Sequence, residues 1–417
     1  MINEKTERLF SKDYILVVFG SLNPAFTNSF FVTAMALYVQ RLGISQIHTG
    51  LLLSVFSLSA LAMRPMAGML TDKIGRVKLL AASAFIISLT CVLFGLGGAV
   101  IPLLLVIRCF HGLAFGMHST CAGAAAADVI PKSRLAEGIG YFAMHLNAAQ
   151  AFGPLITFTI IAGDTLNDYR NLFFTAAAIC FLSVIAALCI TYERKRKKQA
   201  PAAVTAAEET AAASAQTPVN RPKTFLGFEY TTIPPVLVLI LIQFSIVCTV
   251  VYLPMLARDR GIANPWLFFL INAAGVFASR TVFGKIADKR GHDIVIIPWL
   301  PVMAVGTALI PFAAGSASLL AALAFPLGFA QGAIVPTFSA MLFKRCSPHK
   351  RGAASSAFFV AVDVGFGVGA LILGALAEID PRYGFWVTAV LAIVAMGLYP
   401  LISDKRYNTK RGKGIES

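Results

Sequence analysis

Twelve apolar stretches of 20 or more residues follow one another almost from end to end of the chain, separated by short polar turns. That succession constrains the fold more than any single motif. A bilayer core about 30 Å thick needs about 20 apolar residues to cross it as a helix, and a segment in lipid must satisfy its own backbone groups. The reading is therefore an all-α polytopic membrane protein with spans at about 14–40, 46–68, 78–98, 101–126, 136–162 and 171–192, then 231–257, 264–284, 293–314, 317–342, 353–377 and 383–402. Only 13% of the residues are charged, against roughly a quarter in soluble domains. A soluble enzyme, a disulfide scaffold, a disordered chain and a nucleic-acid-binding domain are all excluded on that ground.

The net charge of +15 is explained by topology. An even number of spans puts both termini on one side. If that side is the cytoplasm, the inner segments hold 27 Lys and Arg and the outer loops only five, Arg41, Arg170, Arg258, Arg260 and Arg382. This is the positive-inside pattern, and attraction to anionic lipid headgroups is its by-product. The first span is too long for a signal peptide and has no small-residue cleavage site after it. Six of the seven cysteines lie in spans and none in an outer loop, so they read as small apolar fillers.

The expected organisation is a six-helix bundle over 1–192, a cytoplasmic linker over 193–229, a second six-helix bundle over 230–403 and a basic cytoplasmic tail over 404–417. The linker begins Glu193-Arg194-Lys195-Arg196-Lys197-Lys198 and continues as an Ala-, Thr- and Glu-rich stretch of low complexity, which marks a tether. The two bundles repeat each other at an offset of 216 residues: Arg64 matches Arg280, Gly68 matches Gly284, Asp72 matches Asp288 and Gly75 matches Gly291. Gly112 and Gly116 fall on Gly328 and Gly332 at the same offset. Parallel six-helix repeats around a central cavity are a transporter architecture.

The segment Gly68-Met-Leu-Thr-Asp72-Lys-Ile-Gly75-Arg76 after the second span resembles the signature loop motif of the major facilitator superfamily, and its weaker echo after the eighth span is typical of that family too. In the fourth span, Arg108-Cys-Phe-His111-Gly112 is similar to the Arg-x-x-Gln-Gly motif of the 12-helix drug/proton antiporter branch, with His111 where Gln is usual. In the fifth, Gly153-Pro154 resembles the antiporter motif, although Thr157 and Phe158 replace the Gly-Gly that usually follows. The resemblance implies twelve helices, monomeric function and transport by alternating access. It also implies a cytoplasmic latch that holds the outward-facing state, built from Arg64, Gly68, Asp72, Gly75 and Arg76 with Arg280, Gly284, Asp288 and Gly291 as the second copy.

The residues of that loop suit a breakable latch. Gly68 permits close helix approach, Gly75 a turn conformation closed to other residues, and Asp72 accepts from a neighbouring helix N-terminus. Asp363 stands about ten residues into an apolar helix, hence about 15 Å deep at 1.5 Å per residue. A carboxylate there costs roughly 2.5–3.5 kcal/mol to insert and marks function by default, here a proton-coupling site; the alternative is a structural ion pair, with Arg280 or an Asn as partner. Arg108 lies about 10 Å deep, where the resemblance implies a part in proton coupling. His111, His118 and His145 fall in adjacent spans, but no carboxylate accompanies them, so no metal is expected; His111 and His145 read as cavity lining.

Asn28, Gln150, Gln243, Asn272 and Gln331 are further polar residues within spans, costly in lipid, and are expected to face a cavity or a neighbouring helix. The expectation is a secondary active transporter of the bacterial cytoplasmic membrane that exports a small drug-like or amphipathic molecule in exchange for protons. Export of an endogenous metabolite or metal-chelating molecule, import of a nutrient, and a receptor or scaffold on the same fold are the alternatives. No GxSxG, P-loop, HExxH or dinucleotide loop occurs in a suitable context, so neither an enzyme nor an ATP motor is expected, and no cofactor. The partners expected are a small-molecule substrate, protons and membrane lipids, with no nucleic acid.

Overall fold

The computed structural model describes residues 9–131, 134–193, 224–225, 228–262, 264–346 and 351–403. The side chains of Asp72 and Asp288, and Gly284, are outside that description, as are most of the expected linker and the tail. Twelve helices make up the described chain apart from one two-residue strand pairing, Thr224–Phe225 with Phe228–Glu229. They are α1 (Lys12–Arg41), α2 (Ile47–Ile74), α3 (Arg76–Leu96), α4 (Ile101–Val129), α5 (Leu135–Ile160) and α6 (Leu166–Leu188). The second set is α7 (Ile233–Asp259), α8 (Trp266–Arg290), α9 (Asp293–Ala313), α10 (Ala317–Arg345), α11 (Arg351–Ile379) and α12 (Pro381–Leu398). Ten are long and apolar enough to cross a membrane. The other two are α5, diluted by His145, Asn147 and Gln150, and α8, whose last turns are basic.

Several helix starts follow from local chemistry. Ser11 caps α1 by accepting from Tyr14 N at 3.2 Å, and Thr165 with Asp168 forms a capping box on α6. Gly75 and Gly291 adopt φ of +97° and +90°, so each breaks the chain between two helices in a conformation that other residues rarely take. In α7 the helix widens to a π turn at Cys248–Tyr252.

Helix pairing repeats between the two sets. Within the first six, α1 packs on α5 and α6, α3 on α4 and α6, and α2 on α4; the second six pair in the same way. Glycines set the closest seams. A Cβ at Gly112 would collide with the Phe56 carbonyl and one at Gly116 with the Ala60 carbonyl. In the second set, Gly328 meets Asn272 and Gly332 meets Val276. Both seams keep a register of 56 residues, and they are 216 residues apart.

The two sets meet along α2 with α11 and α5 with α8. On the α2–α11 face, Gly50 lies against Ala370 and Leu371, and a Cβ at Gly374 would stand 2.9 Å from the Gln46 carbonyl and 3.1 Å from Gly50 Cα. Ser54 Oγ donates to the Gly367 carbonyl at 2.5 Å. At the end of the molecule bearing the α1–α2 turn, one apolar core runs through both sets, from Phe31, Met35 and Leu52 to Val251, Tyr252 and Leu373. At the opposite end, where the first and last described residues lie, the cores are separate, one around Leu79, Leu80 and Ala125 and the other around Leu300, Ile334 and Phe338. The molecule is closed at the first end and open between its halves at the second.

Gly116→Ala places a methyl group against the Ala60 backbone and is expected to cost about 1–3 kcal/mol, as overpacking does, lowering the thermal midpoint in detergent. Gly123→Ala on the same helix meets nothing within 4 Å and should leave the midpoint unchanged or slightly raised. Gly374→Leu is expected to hold the closed end apart. Spin labels at the exposed Ile47 and Ile379 should then show a longer distance component, and an unaltered distribution would refute the seam's role in closure.

Candidate functional site

The α2–α11 face ends in an ion pair. Arg64 on α2 donates from Nε to Asp363 Oδ2 at 2.6 Å and from Nη2 to Oδ1 at 3.2 Å, the two-point geometry that guanidinium and carboxylate favour. Its Nη1 donates to Ser119 Oγ on α4 at 3.1 Å, and its Cζ lies 4.2 Å from the centre of the Phe359 ring on α11. The side chains are 14% and 12% exposed, so the pair borders the open space without being immersed in it. Past this point the halves part: Met66 and Met69 are exposed, and a Cβ at Gly68 would meet nothing within 4 Å. The close approach expected of Gly68 is therefore not made in this conformation. Asp363's partner is Arg64, not Arg280 or an Asn; Arg280 stands exposed on α8.

The loop motif is organised within the first six helices. Arg76 forms an ion pair with Asp128 and donates to the Ala124 carbonyl at 3.1 Å, both at the end of α4. The α3 N-terminus has no cap of its own; Glu193 supplies one from beyond α6, accepting from Arg76 N at 2.5 Å and Val77 N at 3.3 Å. The side chains of Asp72 and Asp288 lie outside the description, as does the packing at Gly284.

Arg108 is fully buried in α4, its guanidinium held between the rings of Phe31 and Phe56 at 4.7 and 4.5 Å. His111, also fully buried, meets the same two rings edge to face. None of the side-chain nitrogens of Arg108 or His111 has a hydrogen-bond partner among the described residues. The aromatic faces supply the cation's contacts. Both side chains are enclosed in this conformation, and His111, expected to line a cavity, is packed between the two rings. The histidines do not converge: His118 sits 3.0 Å from Ser83 Oγ inside the first bundle, and His145 Nδ1 lies 2.5 Å from the Phe142 carbonyl of its own helix. Among the described residues no group of three or more His, Cys, Asp or Glu is placed to hold a metal.

The remaining polar residues divide between packing and open space. Asn272 donates to the Ala324 carbonyl at 3.2 Å, tying α8 to α10 beside their glycine seam. Gln243 is buried against Gly365. Gly153 lies against Ser29, so the Gly153-Pro154 motif serves α1–α5 contact. Asn28 and Gln331 are half-buried, and Gln150 is exposed.

Two residues of this network carried no signal in the sequence reading, Ser119 and Asp128, whereas Phe359 is expected there as part of an apolar wall one helical turn from Asp363 and Glu378 as an acid near a helix end. Glu378 accepts from Gln46 N at 2.6 Å and Ser45 Oγ at 2.8 Å, capping α2 from the other half. The 56-residue glycine register between α2 and α4 carries residue 64 to Thr120, the chain neighbour of Ser119.

Comparison with known proteins agrees with this architecture. The chain is 26% identical over 340 residues to the multi-drug resistance efflux pump PmrA of Streptococcus pneumoniae, covering 78% of this chain and 79% of that one. It is 23% identical over 366 residues to the staphylopine export protein of Staphylococcus aureus, covering 85% and 87%. Among solved structures it resembles the inward-open conformation of the xylose transporter XylE from E. coli, with a TM-score of 0.70 at 14% identity over 93% of this chain and 95% of that one. The profile of the Major Facilitator Superfamily matches residues 17–298 and 265–416, nearly the whole chain, and the protein belongs to that superfamily.

Proposed function

We propose that this transporter is a proton-coupled exporter of small drug-like or amphipathic molecules in the bacterial cytoplasmic membrane, acting as a monomer by alternating access. The observation that carries this reading is the Arg64–Asp363 pair, a carboxylate deep in one half whose counter-ion belongs to the other half. Similarity to an efflux pump and an export protein supports the direction, and the basic character of the termini's end supports its assignment to the cytoplasm.

In this assignment the conformation described above faces the cytoplasm. Asp363 has delivered its proton there and is paired with Arg64. Opening the other face pulls α2 from α11, removes the counter-ion and leaves a desolvated carboxylate, which takes a proton from the outer side rather than stay charged. Losing one partner of such a buried pair costs about 3–5 kcal/mol, enough to tie protonation to conformation. The proton belongs to Asp363 rather than Arg108, because Arg108 has no acidic partner among the described residues and no exposed surface in this state. The motif around Gly75 and Arg76, with its second copy at Arg280 and Gly291, latches the cytoplasmic end when the cycle reverses. The similarity to the staphylopine export protein favours an endogenous metabolite as the second reading of the cargo.

Asp363→Asn is expected to insert and fold, since it removes a costly charge, but to lose proton coupling. In proteoliposomes loaded with a pH-sensitive dye, adding lipophilic dyes, antibiotics and chelators under a proton gradient should release proton movement for one compound class with the native protein and none with the variant. Native proton movement by Asp363→Asn would sink the assignment. Arg64→Gln should also uncouple, while Arg382→Gln, whose side chain is paired with Asp380 on the exposed surface, should behave as native.

A further inference from the structure

We propose that Ser119 and Phe359 are positioning residues for the proton step, holding the Arg64 guanidinium so that Asp363 gains or loses its counter-ion as α2 and α11 separate. The inference rests on the assignment of the proton to Asp363.

The guanidinium is held along its edges and on one face. Two of its nitrogens, Nε and Nη2, donate to Asp363, the third, Nη1, donates to Ser119 Oγ, and one face lies on Phe359. Ser119 donates its own proton to the Gly116 carbonyl at 3.2 Å, which leaves an oxygen lone pair to accept from Arg64 Nη1. Gly116 is also the residue pressed against Ala60. The seam that joins α4 to α2 therefore fixes the distance between Ser119 and Arg64, and both residues travel with the first six helices.

Phe359 belongs to the other half. It precedes Asp363 by four residues on α11, so the two side chains share one helix face and grip the guanidinium together. Arg64 is thus contested: Ser119 retains it on α2's side, and Phe359 and Asp363 draw it toward α11. The arginine stem has enough rotatable bonds to follow either side. Without Ser119 it follows the carboxylate, and the pair survives separation of the helices. Without Phe359 the guanidinium plane is free to tilt out of the two-point geometry.

Among the ion pairs between described residues, Asp363 is paired with Arg64. Of the helices packed on α11, α7 brings Gln243 beside Gly365, and its Tyr252 donates to the Ala370 carbonyl about two turns away. The titratable side chains of α12 are Arg382 and Tyr383 at its start, Tyr399 follows its end, and Arg345 of α10 donates to the Ile402 carbonyl. Two helix contacts on Arg64 are therefore the means of tuning this carboxylate.

The test is cargo-free. Infrared titration of the full chain in liposomes reads the carbonyl band of the protonated Asp363 carboxyl, identified by its disappearance in Asp363→Asn. Ser119→Ala and Phe359→Leu are each expected to move the midpoint of that band by about half to one pH unit, the scale of one hydrogen bond or cation–π contact. Ser119→Thr and Phe359→Tyr, which keep the contact, should restore the native midpoint. If both truncations fold and leave the midpoint unchanged, the positioning role is overturned while the proton remains on Asp363. If Asp363→Asn removes no titrating band, the proton assignment fails and this inference falls with it.

Discussion

Close backbone approach at glycine is the constraint on which the rest of this structure depends. Lipid tails are as apolar as leucine, so helices gain little from hiding apolar surface from them and rely on packing instead. Gly112 and Gly116 let α4 reach the Phe56 and Ala60 carbonyls of α2, and Gly328 and Gly332 do the same for α10 on α8. These seams fix rotation as well as distance. Once α2 and α4 are locked in register, Arg64 has to point toward Ser119, and α2's remaining face is left for α11. The third seam, Gly50 against Ala370 and Gly374 against Gln46, joins the halves over half the length of the helices and then stops. An interface that is tight at one end and ends in an ion pair can pivot, which one packed along its whole length cannot do.

The internal repeat makes the charge at that pivot unequal. Position 280 repeats position 64, and position 147 repeats position 363, so the α5–α8 face presents Arg280 and Asn147 where α2–α11 presents Arg64 and Asp363. One face holds a titratable carboxylate and the other a neutral amide. An amide places no charge in the apolar interior and its charge does not change with pH, whereas the carboxylate is tolerated only with a counter-ion or a proton. The fold is doubled while the titratable carboxylate on these two faces is single, and its ion pair is shared between the two halves.

How much of this was legible in the sequence depended on whether the signal was periodic or relational. The twelve helices were legible because each is an apolar run bounded by charge or glycine. The repeat was legible because Arg64, Gly75, Gly112 and Gly116 recur at one spacing. Asp363 and Arg108 announced themselves by the cost of charge within a span. Their surroundings did not. Arg64 reads as a member of the cytoplasmic latch, and its pairing with Asp363 is visible only when α11 is placed beside α2. Arg108 looks as if it needs an acid, and the chain instead encloses it between Phe31 and Phe56, a solution written in two phenylalanines among 32. Asn272, expected to face a cavity or a neighbouring helix, donates to the neighbouring helix, and Gly153, read through its likeness to the antiporter motif, packs α5 on α1. Burial in a bundle depends on rotation about each helix axis, which local sequence specifies weakly when nearly every face is apolar.

Two carboxylates at helix starts separate what moves from what does not. Neither α2 nor α3 caps its own N-terminus with a side chain, and each takes an acid from elsewhere, where the exposed amides and the helix dipole favour negative charge. Glu193 caps α3 from the same half, while Asp13 of α1 accepts from Thr191 N two residues earlier at 2.8 Å. Gly75 and Arg76 are therefore tied to the first bundle whatever the second does. Glu378 caps α2 from the other half, and separation of the closed end has to expose both the carboxylate and the amide it serves. Water can replace that bond at the surface, so the cap adds a modest barrier there. The Arg64–Asp363 pair, bordered by Phe359 and the helix interior, has less water to draw on. Of the two contacts, the deep pair is the one whose loss would leave a carboxylate short of both water and a counter-ion.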